Sequence, residues 1–346
     1  MESTQQLHPS TCAADRIPRG GWGRAWCIGL TASVLALALL EFDLRSRGYG
    51  PSVRDEPALW GSLRSQASGS GADTVVLLGA SRFQLGIDPE LLAPEMRATR
   101  VLQLSIDGSS PLPVLEDLAR DDSFAGTVLV EVTPGALFGT SPRPREVAES
   151  WLAEHEKRPL LRDLEVALRL PLEERFAILR PGLKTALVDR LLARASSAPH
   201  VSMRRSRYQP ADFTRRDQHG SRSTPSLGSE LCEHRELGER LETIRVAVAE
   251  IRRRGGRVVF VRMPSTGEVR AHEDLVFPRE VTWDRLVATD GVVGIHFEDD
   301  AELSSFECPD GSHLDTSDVA RFTSLLASRL SSSEPERIPG PSTSGE

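Results

Sequence analysis

Five short runs of apolar, largely β-branched residues recur along the chain with helical patterns between most of them, and that alternation constrains the fold more than any other feature. The runs are Val75–Leu78, Arg100–Leu104, Thr127–Val132, Arg257–Arg262 and Val292–Phe297. Strand, helix and strand at such spacing predict βαβ units and a parallel sheet, buried on both faces by helices. The helix signals agree. Asp88-Pro89 offers an N-cap with proline at the first turn of a helix near Pro89–Met96, and Ser109-Ser-Pro111 starts another that carries Leu112, Val114, Leu115 and Leu118. Leu237, Leu241, Ile244, Val248 and Ile251 form one apolar helix face that ends at Arg252-Arg-Arg254 and Gly255-Gly256, where cations suit the dipole and glycine stops the turn. A last helix, capped by Asp315 or Thr316, buries Val319, Phe322, Leu326 and Leu330.

Outside this body the pattern changes. Residues 1–24 open polar and aperiodic, with Pro9 and Pro18, and are expected to be disordered. Residues 25–44 contain an uncharged apolar run through Leu40 that approaches the length of a membrane-spanning helix. Arg16, Arg19 and Arg24 precede it, whereas Glu41 and Asp43 dilute Arg45 and Arg47 after it, so the N-terminus is expected in the cytoplasm and the rest outside. Ala36-Leu-Ala38 has the form of a signal-peptidase site, but it falls inside the apolar run rather than after it. A single-pass anchor is the reading. Residues 45–72, rich in Gly, Ser and Arg, read as a stalk with a short helix around Leu59–Leu63. The main domain spans 73–330 and holds an insertion over 140–228. In it, Glu146–Glu156 and Pro159–Leu170 read as amphipathic helices, Glu173–Ala195 as a possible third, and Ser196–Gly228 as a poorly ordered loop. Its basic residues Arg204, Arg205, Arg207, Arg215 and Arg216 read either as a solvated face or as a surface for an anionic polymer or lipid headgroups. Residues 331–346 are an expected disordered tail.

A net charge of −8 argues against nucleic acid as a partner. The histidines other than His313 share no metal-ligand spacing, and no glycine-rich phosphate loop occurs, so neither a metal nor a cofactor is expected. There is no Asn anywhere in the chain, which removes N-glycosylation sequons and any catalytic Asn. Cys232 and Cys308 would lie outside the cytoplasm, where a disulfide can persist and would tie the end of the insertion to the loop bearing Asp310.

The chemistry-bearing residues lie at the two ends of the β/α pattern. Val75–Leu78 stops at Gly79, and Ser81 follows two residues on, which lifts a hydroxyl to the carboxyl edge of the sheet where open α/β folds place their sites. A serine needs a base to act as a nucleophile. The well-placed candidate is Cys308-Pro-Asp-Gly-Ser-His313, where Asp310 precedes His313 by three residues just before the last helix. The plainer readings are a helix-capping Ser81, an exposed loop His313 and an ordinary Asp310-Gly311 turn. The two stretches together, in this order, favour catalysis.

This pairing resembles the SGNH (GDSL-like) hydrolases, in which the serine follows the first strand and a D-x-x-H near the C-terminus supplies the other two members of a triad. The likeness runs over roughly residues 73–330 and is nearer to membrane-anchored bacterial envelope members than to secreted lipolytic ones. It implies a flavodoxin-like three-layer α/β/α sandwich whose five-stranded parallel sheet has the order 2-1-3-4-5. It implies Ser81 as nucleophile, His313 as base, Asp310 as its orienter, and an oxyanion hole from the Ser81 and Gly108 amides. The family's third donor is an Asn after the third strand; here that position falls near Thr133, which with Arg82 is a substitute candidate. Val261-Arg-Met-Pro264 also looks like the envelope subgroup, and Arg262 is an expected contact for a substrate carboxylate or phosphate, with a strand-end arginine facing water as the competing reading. The activity implied is an O-acyl esterase or O-acetyltransferase on an acylated envelope glycan at the inner membrane, the domain facing the periplasm. The rival, favoured by the missing Asn, is a catalytically inactive SGNH-like protein that binds glycan or assembles with envelope partners.

Overall fold

The computed structural model describes residues 22–157, 160–184, 200–215 and 230–332. The expected disordered tail beyond 332, the N-terminal residues up to 21, residues 185–195 of the third expected insertion helix, residues 196–199 and 216–228 of the expected loop, and residue 229 lie outside them.

The centre is a parallel sheet of five strands, β1 (Thr74–Leu78), β2 (Arg100–Gln103), β3 (Thr127–Glu131), β4 (Arg257–Arg262) and β5 (Val293–His296), ordered β2-β1-β3-β4-β5. Both faces of β1 are apolar for a simple reason. Val76 and Leu78 point into one core with Leu102, Val128, Val130 and Phe260, while Val75 and Leu77 point into the other with Leu129, Val259 and Val261. Successive side chains on a strand face opposite ways, so a strand covered on both sides must be apolar throughout.

Twelve α-helices are described. On the first face the core is closed by α2 (Pro57–Ala67), α5 (Leu112–Arg120), α6 (Pro134–Phe138), α7 (Arg143–Glu156), α9 (His234–Arg253) and α11 (Trp283–Val287). On the second it is closed by α3 (Ser81–Gly86), α4 (Pro89–Glu95) and the last helix, α12 (Thr316–Ser332). The remaining helices are the N-terminal α1 (Trp22–Ser46), α8 (Leu160–Glu173) in the insertion, and α10 (Gly267–Val276) after β4. The expected caps are in place: Asp88 accepts from the Glu90 N–H at 2.9 Å, and Asp315 accepts from the Ser317 N–H at 2.9 Å. Phe322 and Leu326 of α12 are fully buried, and truncating either to Ala removes about 2–5 kcal/mol.

α1 is long and apolar enough to cross a membrane, and none of its most apolar window is buried against the rest of the protein. The expected stalk is not one. Within 45–72, α2 packs into the first core; Trp60 is fully buried and its Nε1–H donates to the Leu104 carbonyl at 2.8 Å, while Arg64 pairs with Asp117 and Asp121. Residues 200–215 of the expected loop also pack on the body. Arg207 is fully buried, its guanidinium paired with Asp55 at 2.7 Å and donating to the Gln103 carbonyl at 2.8 Å, and Arg204 pairs with Asp88 at 3.1 Å. Arg207 is an internal cross-link of the fold, and Arg204 an ion pair at its surface. Cys232 and Cys308 are free and sit in the two different cores, with the sheet between them, so they cannot bond.

Candidate active site

Ser81 opens α3 directly after the turn that follows β1, at the carboxyl edge of the sheet. What holds this turn is a carboxylate that sequence reading passed over. Glu131, the last residue of β3 and only 1% exposed, accepts from the Ala80 N–H at 2.8 Å and the Phe83 N–H at 3.0 Å. It caps α3 from the neighbouring strand, supplying the acceptor that the first helical N–H groups lack within the helix itself. The carboxylate lies so close that a Cβ on Gly79 would come within 2.5 Å of its Oε2, which is why the turn needs glycine there. The loop after β2 is fastened to the same place: the Ile106 N–H donates to the Gly79 carbonyl at 2.9 Å and the Ser109 hydroxyl reaches it at 3.4 Å. Gly108 lies in this loop and is exposed.

From the other end of the chain, His313 meets Ser81. Its Nε2 is 2.8 Å from Ser81 Oγ, and its Nδ1 is 2.9 Å from Asp310 Oδ2. The second oxygen of Asp310 accepts from the Ser312 N–H at 2.9 Å and the His313 N–H at 2.8 Å. These contacts make the loop a rigid holder, closed at Gly311, whose φ of +83° suits glycine and whose Cβ position is blocked by Val269 at 2.7 Å. Burial alone would raise the Asp310 pKa; the His313 ring and the two backbone donors outweigh it and hold the carboxyl down at about 2. An ionised Asp310 accepts a hydrogen bond from the Nδ1–H, which leaves Nε2 as an acceptor for the serine hydroxyl. Ser81, His313 and Asp310 thus form one continuous hydrogen-bonded chain.

Arg82, a candidate oxyanion or substrate contact, and Arg262, the expected substrate contact, turn inward instead. Arg82 and Arg262, 5% and 4% exposed, clasp opposite oxygens of Glu273 on α10 at 2.6 and 2.5 Å. A buried guanidinium needs an anion, and Glu273 serves both. Burial works against the charge of each. Glu273 and Glu131 outweigh it for Arg82, whose pKa is raised; for Arg262 burial and the nearby Arg82 prevail and the pKa is lowered. Glu273 itself, which burial would raise, is held at about 2 by the two arginines and the Ser265 hydroxyl. Arg82 also donates through Nε to Ser312 Oγ at 3.1 Å, so the residue after Ser81 is tied to the residue before His313. Its position supports the geometry of the pair rather than the binding of a ligand.

Thr133, expected as an oxyanion donor, gives its hydroxyl to Glu131 Oε1. The signal for Glu131 was present in the sequence: one acid inside the otherwise apolar Thr127-Val-Leu-Val-Glu-Val132. Glu273 carried no such signal, because it stands among other polar and charged residues, Glu268, Arg270, His272 and Asp274. Among the described residues no cluster of His, Cys, Asp and Glu is arranged to hold a metal ion.

No known family model matches the chain, and no curated protein sequence matches it. Among solved structures, a crystal structure of TesA aligns over 74% of this chain and 97% of its own length, with 13% identity and a TM-score of 0.34. That likeness is too remote to carry an argument about activity.

Proposed function

We propose that this protein is a membrane-anchored O-acyl esterase or O-acetyltransferase of the SGNH type that works through an acyl-Ser81 intermediate on an extracytoplasmic envelope glycan. The observation that carries the reading is the continuous chain Ser81 Oγ, His313 Nε2, His313 Nδ1 and Asp310 Oδ2, with links of 2.8 and 2.9 Å. In the proposed reaction Ser81 Oγ attacks the acyl carbonyl while His313 Nε2 takes its proton. The oxyanion rests on the Ser81 and Gly108 amides. His313 then returns the proton to the departing alkoxide, and Asp310 holds the imidazolium. Water as the second acceptor gives hydrolysis; a glycan hydroxyl gives transfer. The envelope and glycan parts rest on the sequence resemblance, and the outward orientation on the arginines that precede the apolar helix.

A second reading has its own support. With Thr133 turned to Glu131, the oxyanion has no side-chain donor from the third strand, and loss of one such donor typically costs about a hundred- to a thousandfold in turnover. A chain of this kind can persist as a glycan-binding or envelope-assembly protein. Turnover of p-nitrophenyl acetate by the full chain in lipid nanodiscs separates the two. The esterase reading expects hydrolysis that Ser81→Ala abolishes; equal rates for the parent and Ser81→Ala sink it.

A further inference from the structure

α8 carries an apolar stripe that the fold leaves uncovered. Leu161, Leu164, Leu168 and Leu172 are 78%, 55%, 66% and 50% exposed, and two further partly exposed apolar residues, Phe176 and Leu179, follow the helix at 38% and 39%. At 100° per residue the four leucines fall within about 80° of arc, a single narrow face. The opposite face is already used: Val166 and Leu170 pack on Val53, Leu59 and Met203, and Arg169 pairs with Glu56 and Glu173. The helix is therefore fixed to the body by one side while presenting leucines on the other. Soluble surfaces rarely keep so continuous an apolar strip.

What covers it follows from where it lies. The segment immediately after α8 is fastened to the polar end of α1, the point at which the apolar run gives way to charge. Glu41 accepts from the Ala177 and Ile178 N–H groups at 2.9 and 3.0 Å, Arg45 donates to the Arg175 carbonyl at 2.6 Å, and Leu44, Tyr49, Ala177 and Leu183 form a small core at the junction. Residues 175–183 thus sit at the level where a membrane-spanning α1 leaves the bilayer, and α8 leads into them. Exposed Arg175 and Lys184 flank the junction, suited to lipid headgroups.

We propose that α8 is an interfacial helix that lies on the membrane spanned by α1, its leucine stripe seated at the boundary between headgroups and acyl chains. Such a contact needs an amphipathic helix with one apolar face and gains from each buried leucine, which α8 supplies over its whole length. It gives the domain a second attachment beside the single helix and fixes its orientation over the bilayer. The inference rests on the anchoring role of α1 and is independent of any acyl chemistry.

The test is site-directed spin labelling of the full chain in nanodiscs of phosphatidylcholine and phosphatidylglycerol. Cys12 and Cys27 are replaced by Ser, and the buried Cys232 and Cys308 are kept. One exposed cysteine at a time is introduced by Leu161→Cys, Leu164→Cys or Leu168→Cys, with Val246→Cys on the exposed side of α9 as the reference and the chain without an added cysteine as the labelling blank. All four positions are exposed, so none is expected to disturb the core, and retained circular dichroism checks this. The expected result is a higher collision rate with oxygen than with the nickel chelate at the three α8 sites, and the reverse at position 246. Greater access of the nickel chelate at the α8 sites would mean that the stripe faces water and would overturn the proposal. Low access of both reagents there would mean a protein partner covers it and would overturn it equally.

Discussion

The two sides of Ser81 are built differently. Toward the C-terminal loop everything that proton transfer requires is present and braced: His313 is held by Asp310, Asp310 by two backbone donors, and the whole loop by Arg82 through Ser312. Toward the third strand a carboxylate, Glu131, occupies the turn, takes two backbone N–H groups around the serine and engages the Thr133 hydroxyl as well. The first side resembles a finished acid–base relay. The second organises the serine's backbone but adds no side-chain donor for a developing oxyanion. In the proposed reaction, relay and oxyanion stabilisation are therefore separable, and each can be probed alone.

The relay side should yield the largest effect. Asp310→Asn leaves the shape intact but removes the charge that sets the His313 tautomer, and ester turnover is expected to fall by about ten-thousandfold. A loss below tenfold would mean that His313 does not act as the base. Next in size is the brace beneath it. Glu273→Gln leaves Arg82 and Arg262 buried beside a neutral partner, and thermal or urea unfolding should register a loss of about 3–5 kcal/mol. An unchanged midpoint would show that the arginines find other anions.

On the strand side the change should run the other way. Thr133→Asn offers the missing amide donor, and a rise in turnover of up to about a hundredfold is expected, the size of one oxyanion contact. A fall with the fold intact would show that the Thr133–Glu131 bond matters more than a new donor. Smallest is an acid sensitivity located away from the serine. His296, at the end of β5, has its pKa lowered from 6.5 to about 3 by burial and by Arg262, Arg279 and Arg270. It is neutral when folded and binds a proton on unfolding, so the stability it contributes is complete above pH 6.5 and is lost as pH falls from there toward 3. The slope is about 1.4 kcal/mol per pH unit at most. Asp310 and Glu273 add a further loss below about pH 4, since both have their folded pKa lowered to about 2. Unfolding followed between pH 7 and 5, with His296→Gln for comparison, should show the upper part of this slope only in the parent.

Much of this contrast could be read before the structure. The five strands were visible because a sheet buried on both faces demands uninterrupted apolar runs, and the Ser81, Asp310 and His313 grouping because each sits at a strand end or just before a capped helix. What escaped reading depends on partners distant in the chain. Arg82 and Arg262 looked available for a ligand because the carboxylate they share, Glu273, is one of several charged residues in its helix and nothing local singles it out. Trp60 looked like part of a stalk because its burial relies on the Leu104 carbonyl, 44 residues away. Glu131 was visible as an acid in an apolar strand, but its task is set by the turn after β1, which no local pattern reveals.

The central claim is that Ser81 is an activated nucleophile, and intact-mass measurement of the full chain after exposure to a fluorophosphonate tests it most directly. A single adduct on the folded parent, absent from Ser81→Ala and strongly reduced in His313→Ala, is the predicted result. A folded parent that remains unmodified, or an adduct that survives in Ser81→Ala, would contradict it.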